Sequence, residues 1–392
     1  MQLLKICVGT WANASRDKRE LSVCAELGMA IEIMAKGEVT GVKETIDGYL
    51  VNRFSTRPWK HLSAGINRFV AVFTWAHYAR QFHADIISGH DLIALTIGYL
   101  SNLFQPKAKK ARLVYDSHEF ELGRNAKRNK LTLFCIKLLE GFLMRRCAFS
   151  IMVNDSIADE VQRIHKLKTR PIVVRNIPNY WELDDTSVMQ KRTELCAALN
   201  VPKYTFLLLY HGALFNNRGI EKILRAVAQT EGTAAIVLGN GEPTYIASLQ
   251  ALCGQLNILS RVLFLPAVPL SRLFSYIAAA DVEILIGAPD VRSYYLSLPN
   301  KFFESIQAET PVIVGGPETG KLTSAYGIGC IVDPSNDSYL INAIEKLRVN
   351  KSYYNTCKKN LKKAKQELCW ENEKDRLKKA YSELTRSLSA EA

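Results

Sequence analysis

Short apolar runs alternate with longer stretches of helical periodicity along the whole chain. In the first half, KICVG (5–9), AIEIMA (30–35), DIISGH (85–90), RLVYDSHE (112–119) and FSIMVN (149–154) read as buried strands. Segments 16–28, 63–82 and 129–147 read as the helices between them. FLLLYHG (206–212), AAIVLGNG (234–241), VLFLP (262–266), VEILIG (282–287) and PVIVGG (311–316) repeat the pattern in the second half. Continuous apolar strands spaced by helices imply parallel βαβ units covered on both faces. Two such sets predict an α/β fold of two Rossmann-like doubly wound domains facing a cleft. The first spans residues 1–180, after a last strand at PIVVRN (171–176), and the second 181–365. Residues 351–386 read as a Lys/Glu-rich helix pair without a strand, and 366–392 as a separate terminal helix.

In open parallel sheets, ligands gather at the carboxyl ends of strands. Polar and glycine residues just beyond the apolar runs are therefore the first candidates. After 206–210 come His211, Gly212 and, at a helix entrance, Arg218, which can clamp a phosphate bidentately. Gly239-Asn240-Gly241-Glu242 is a Gly-x-Gly turn opening a helix, a weak signal by itself. In Pro299-Asn300-Lys301-Phe302-Phe303-Glu304, Asn300 is expected as a helix N-cap, with free amides behind it facing an anion. Glu304, one turn further, could accept two hydrogen bonds from a ribose diol, or serve only as a solvated helix residue. In the first half, Asp116-Ser117-His118-Glu119 is a poor core sequence and a good site sequence. The bland alternative is a histidine satisfied by neighbouring carboxylates. His90-Asp91 is a weaker pair, in which Asp91 reads equally as a helix cap.

The length of 392 residues suits two domains, and 48% hydrophobic with 23% charged residues is ordinary globular composition. The net charge of +13 is concentrated. Residues 101–150 hold 11 Lys/Arg against 4 Asp/Glu and residues 351–379 hold 10 against 4, while the remainder balances. Concentrated basic surface suits an anionic partner. Segment 124–148 combines Lys/Arg at both ends with Leu131, Phe134, Leu138, Leu139 and Phe142, as in a basic helix lying on an anionic bilayer. A helix covering the sheet would explain the same apolar residues. Nine cysteines without CxxC spacing indicate neither a zinc site nor a disulfide framework. MQLLKICVGTW reads as a strand rather than a secretory leader, and no uncharged run is long enough to span a bilayer. The expected location is cytoplasmic, or peripheral on the inner face of the cell membrane.

Together the motifs resemble the retaining nucleotide-sugar glycosyltransferases of the GT-B fold, family 4. The resemblance rests on Arg16-Asp17 and Gly28, Asp116-Ser117-His118-Glu119, Asn154-Asp155-Ser156, Asn176-Ile177-Pro178-Asn179 and Gly212 to Gly219. It continues through Leu238 to Glu242, Arg261 to Pro266 with Ala280-Asp281-Val282, Pro299 to Glu304 with Thr310 to Ile313, and Trp370-Glu371. It implies a donor set of Gly212, Arg218, Gly239, Gly241, Val268, Asn300, Lys301 and Glu304, with His118 and Glu119 as catalytic residues. Arg218 then contacts the diphosphate, Glu304 the ribose, and the backbone near Ala267-Val268 borders the base.

The resemblance further implies a UDP-, GDP- or ADP-sugar as co-substrate, no other cofactor and no metal, because basic groups and helix N-termini neutralise the leaving diphosphate. The acceptor is a saccharide or a lipid-linked sugar, in cell-surface polysaccharide or glycolipid synthesis. In relatives the last helix crosses back to the first domain, which would bring 351–379 near 101–150 on one membrane surface. Three departures stand out: Leu296 where relatives carry a glutamate eight before Glu304, Ala213 in place of an arginine, and a single glycine in Gly9-Thr10-Trp11-Ala12-Asn13. An epimerase of the same fold, a nucleic-acid-binding protein and an inactive scaffold are the competing readings. The basic windows are Leu/Lys-rich and carry no nucleic-acid motif.

Overall fold

The computed structural model describes residues 1–391 except 10, 12–14, 58, 60–62, 104, 125–127 and 288–294. Most of the first glycine loop and part of the basic run at 124–130 lie outside the described residues. The chain forms two compact units, Met1–Arg175 with Glu373–Ala392, and Asn176–Asn372. Both are α/β with Rossmann-like sheets.

The first unit runs β1 (Gln2–Cys7), α1 (Ser15–Glu26), β2 (Ala30–Gly37), β3 (Val42–Ile46), β4 (Tyr49–Ser55), α2 (Ala64–Ala79), β5 (Ile86–His90) and α3 (Asp91–Leu103). It continues with β6 (Arg112–Asp116), α4 (Lys130–Met144), β7 (Cys147–Met152), α5 (Asp155–His165) and β8 (Ile172–Val173). Its sheet order is β3-β4-β2-β1-β5-β6-β7-β8. Every pairing is parallel except β3–β4. That hairpin was not expected from the apolar pattern, because β3 (VKETI) is a mostly exposed, polar edge strand. Its signal was the Asp47-Gly48 turn, where both residues take positive φ (51° and 82°) as a two-residue hairpin loop requires.

The second unit holds α6 (Asp185–Leu199), β9 (Phe206–His211), α7 (Ile220–Gln229), β10 (Thr233–Leu238), α8 (Pro243–Gln255), β11 (Val262–Leu265), α9 (Leu270–Ala279) and β12 (Val282–Leu285). Then follow α10 (Asn300–Gln307), β13 (Val312–Val314), α11 (Pro317–Tyr326), β14 (Gly329–Ile331), α12 (Asp337–Val349) and α13 (Lys351–Glu367); the last helix, α14 (Trp370–Glu391), has only its first three residues in this unit. The six strands are all parallel, in the order β11-β10-β9-β12-β13-β14. Phe206, Leu208 and Tyr210 enter one core layer while Leu207 and Leu209 enter the layer on the opposite face. Burial on both faces is why the strand reads as an unbroken apolar run.

The basic window at 351–379 is not one surface. Lys365 is buried in the second unit, 3.1 Å from Glu309. From Glu373 onward α14 belongs to the first unit, where Lys374 and Lys378 bond to Glu26 at 2.9 and 3.0 Å.

The first unit is tied together by a buried lysine. Lys5 is fully buried in β1; its Nζ lies 3.0 Å from Asp17 Oδ1 and 3.7 Å from Asp116 Oδ2, bonds to Glu20, and donates to Ser88 Oγ at 3.2 Å. Tyr381 of α14 donates to Glu20 at 2.5 Å, so β1, α1, β5, β6 and the terminal helix meet at one ammonium. Burial disfavours that charge, but Asp17, Glu20 and Asp116 hold its pKa well above the ordinary lysine value. Replacing Lys5 by Met should therefore cost about 3–5 kcal/mol, because the carboxylates stay buried without it. Urea unfolding of Lys5→Met measures this, and an unchanged midpoint contradicts the network.

Candidate functional site

Both sheets have a topological switch point, where successive connections leave in opposite directions, and both carry ionisable groups there. In the second unit it lies between β9 and β12. His211 ends β9, and its Nδ1 lies 3.0 Å from Glu283 Oε1 on the neighbouring strand β12. Its Nε2 lies 2.8 Å from Glu304 Oε2 on α10. Burial opposes the imidazolium, but Glu283 and Glu304 push His211 up to about 9. One oxygen of Glu304 is thus committed to His211 and the other can meet a ligand, with the side chain 15% exposed.

Beside this pair, Arg218 and Lys301 line a cavity of about 80 Å³ with Tyr210, Tyr295, Ser297 and Thr319. That is roughly the volume of two or three waters, and so suits a phosphoryl-sized group. Lys301 Nζ sits 3.9 Å from the Tyr210 ring centroid, a cation–π contact, and occupies the space a side chain on Gly212 would fill. A Cβ there would stand 2.5 Å from Lys301 Cε. Burial, reinforced by Arg218 and opposed by Glu283 and Glu304, pushes Lys301 down to about 8. Arg218 stacks its guanidinium 4.4 Å from the Phe215 ring centroid.

The glycines bring loops together. A Cβ on Gly239 would lie 1.8 Å from Gly212 O, and one on Gly241 would lie 2.2 Å from Leu214 O. Asn240 Oδ1 accepts from Ala267 N at 3.0 Å, joining the Gly239–Glu242 turn to the segment containing Val268, which packs against the core. Gly212, Gly239, Gly241 and Val268 thus shape the loops without lining the Arg218–Lys301 cavity. Asn300 is not the N-cap: Pro299 holds that place, and Asn300 is the first residue of α10. Its Oδ1 accepts from Asn176 Nδ2 at 2.6 Å, so the side chain ties the helix to the start of the unit instead.

In the first unit the switch point lies between β1 and β5. His118 Nε2 is 3.0 Å from Asp116 Oδ2, and its ring stacks on His90 at 3.6 Å between centroids. With Nε2 engaged, Nδ1 is the nitrogen left for a ligand. His90 Nδ1 is 2.7 Å from Asp17 Oδ2; burial opposes its charge, but Asp17 and Cys7 push it up to about 11. Asp91 does not act as a simple cap. It begins α3 at φ 65°, accepts from His118 N at 3.1 Å and pairs with Arg124 at 2.9 Å. Glu119 is half-buried and bonds the same Arg124 at 2.9 Å. Cys7, Asp17 and His90, and likewise Asp17, Asp116 and His118, each place three potential metal-ligand atoms within 4.8 Å of one another. Lys5 and Arg16 already balance those carboxylates, with Arg16 Nη2 2.8 Å from Asp116 Oδ1.

Sequence reasoning missed Glu283, His211 as a partner of Glu304, and Lys5. Each is a charged or titratable residue inside an apolar run, and that interruption was the available signal.

The raised His211 pKa predicts a pH dependence. The charged form is favoured in the folded state, so its stabilisation is complete below about 6.5 and is lost as pH rises through about 9. His211→Gln should lack this component. Melting temperatures of the two proteins across that range should converge at the alkaline end, and parallel curves exclude the pairing.

Residues 191–364 match the family model of glycosyl transferases group 1. An uncharacterized glycosyltransferase from Methanocaldococcus jannaschii is 24% identical over 79% of this chain and 80% of its own length. A sucrose-phosphate synthase from Thermosynechococcus elongatus superposes with TM-score 0.77 at 17% identity, covering 100% of both chains. Anabaena HepE, solved with UDP-glucose, superposes with TM-score 0.74 at 15% identity, covering 98% of this chain and 100% of its own. Residues 191–364 thus carry the group 1 glycosyl transferase match, and both units have the Rossmann-like sheets of the GT-B fold seen in these similar structures.

Proposed function

We propose that this enzyme moves a hexose-type sugar from a nucleotide-sugar to a saccharide or lipid-linked acceptor, with retention and without a metal, in cell-surface polysaccharide or glycolipid synthesis. The observation that carries the reading is the convergence of Arg218, Lys301 and Glu304 at one switch point. Two cations beside a small cavity suit a diphosphate, and a carboxylate with one uncommitted oxygen suits a ribose hydroxyl. A UDP donor has the most support, since the similar HepE structure was solved with UDP-glucose.

Catalysis in this reading is electrostatic. Arg218 and Lys301 take up the charge that develops on the leaving diphosphate. Lys301 gains most, because an incoming dianion raises its lowered pKa and completes its protonation. His118, through Nδ1, donates to a sugar hydroxyl or phosphate oxygen, while Asp116 and the stacked His90 fix its ring. Glu119, held by Arg124, borders the acceptor. Tyr295 and Ser297 line the cavity on either side of Leu296 and offer the sugar-hydroxyl contact that a glutamate supplies in relatives. A lipid-linked acceptor places the work at the inner face of the cell membrane, on an enzyme in which, among the described residues, no helix is long and apolar enough to cross it.

Glu304→Ala and Arg218→Ala should each lower turnover at least about tenfold, roughly 1.4 kcal/mol of lost transition-state binding. His118→Ala should impair the chemical step more than donor affinity. Single-turnover kinetics with UDP-glucose separate these, and full activity in all three variants refutes the assignment.

A second measurement concerns Lys301. Its ammonium is lost above about pH 8, so UDP affinity should fall as pH rises through that value, and Lys301→Met should be weaker and show no such slope. Calorimetric titration with UDP decides this.

A further inference from the structure

Helix α4 turns its apolar residues to solvent. Leu131, Phe134, Leu138 and Phe142 recur at three- and four-residue spacing and are 72%, 57%, 56% and 38% exposed. Its inner face carries Glu140, buried and bonded to Tyr115 OH and His165 Nε2 at 3.0 and 2.9 Å. The only carboxylate of α4 is thereby withdrawn, and the exposed charges beside the stripe are Lys130, Lys137 and, just past the helix end, Arg146, while Arg145 bonds inward to Gly141 O and His165 O at 2.7 and 2.8 Å. This arrangement overturns the reading of α4 as a helix whose apolar stripe covers the sheet. On the far side of α3, helix α2 likewise exposes Ile66, Phe69 and Phe73.

The stripe leads into a basic groove. Arg146 lies 3.5 Å from the Phe142 ring centroid and 6.0 Å from that of Tyr99. Tyr99 and Arg146 line a groove of about 1010 Å³ at the amino ends of β1, β5 and β6, together with Lys107, Lys109, Lys110 and Arg112. Among the described residues its one lining carboxylate is Asp85, which accepts from Gln2 N at 2.7 Å. Among the described residues, Lys107, Lys109 and Lys110 form no ion pair.

We propose that this face docks on an anionic phospholipid bilayer, with the α4 stripe in the interface and the groove taking a phosphate headgroup. An apolar stripe on a helix whose own exposed charges are all cations matches such an interface in both of its chemistries. A nucleic acid would satisfy the lysines but leave Leu131 and Leu138 in water. A second copy of this chain on the same face would set like charges against each other. Because α4 follows the carboxyl end of β6, near His118, and ends beside the groove at Arg146, docking along it sets that carboxyl end beside the same surface. The inference rests on surface chemistry and is independent of the donor-site reading.

The full chain should float with phosphatidylcholine vesicles containing phosphatidylglycerol, and not with phosphatidylcholine alone. Each basic side chain near an anionic surface contributes about fivefold to binding, so Lys107→Glu with Lys110→Glu should lower it at least about tenfold, and added salt should do the same. Leu138→Glu should also weaken flotation; Leu138 is exposed, so this variant should keep its circular dichroism spectrum and its melting shift with UDP. Absence of flotation at low salt overturns the proposal. So does a melting shift with glycerol phosphate without flotation, which assigns the groove to a soluble anion. Retention of a single-stranded oligonucleotide in place of vesicles overturns it too, as does a dimer that Leu138→Glu dissociates.

Discussion

Charge burial at the sheet switch points is the constraint on which both units depend. Asp17, Glu20 and Asp116 could not be taken out of water singly, because the desolvation of each carboxylate exceeds what one hydrogen bond returns. Lys5 and Arg16 make their burial possible, and the geometry this requires fixes how α1, β1 and β6 lie together. His90 and His118 are stacked on the outer side of that cluster, so the ring proposed to act in catalysis is oriented by the same charges that hold the unit together. Positioning and stability are one network there.

The second unit solves a similar problem with different residues. Glu283 lies fully buried in a central parallel strand, where an isolated carboxylate is untenable, and His211 beside it carries the compensating charge. The same imidazole reaches Glu304, so a core pair and a candidate ligand-binding carboxylate share one cation. Lys301 is close to both glutamates yet has its pKa lowered, because burial and Arg218 outweigh them. An anion in the cavity relieves that imbalance.

Much of this was legible before the fold. The alternation of apolar runs and helical stretches gave both parallel sheets, since strands buried on both faces admit few polar residues. The β3–β4 hairpin escaped because a polar edge strand lacks that signature, although Asp47-Gly48 marked its turn. Arg218, Lys301 and Glu304 were reachable from their places after strands. His211, Glu283 and Lys5 were not given their roles, because a single ionisable residue in an apolar run does not name its partner across the sheet. Asn300 was misread as a cap because Pro299 also satisfies that position, and only the backbone distinguishes them.

The amino-acid order by itself determined the α/β class, the two-sheet division, the concentration of positive charge and the strand-end candidates, all of which follow from local periodicity and composition. Tertiary structure decided the rest. It split the basic residues of 351–379 between two units, satisfying Lys365 in the interior and Lys374 and Lys378 on Glu26. It also turned the apolar stripe of α4 outward while drawing Glu140 in. Periodicity fixes which residues share a helix face. Which face meets the core depends on partners such as His165 and Tyr115, which only the fold brings to that place.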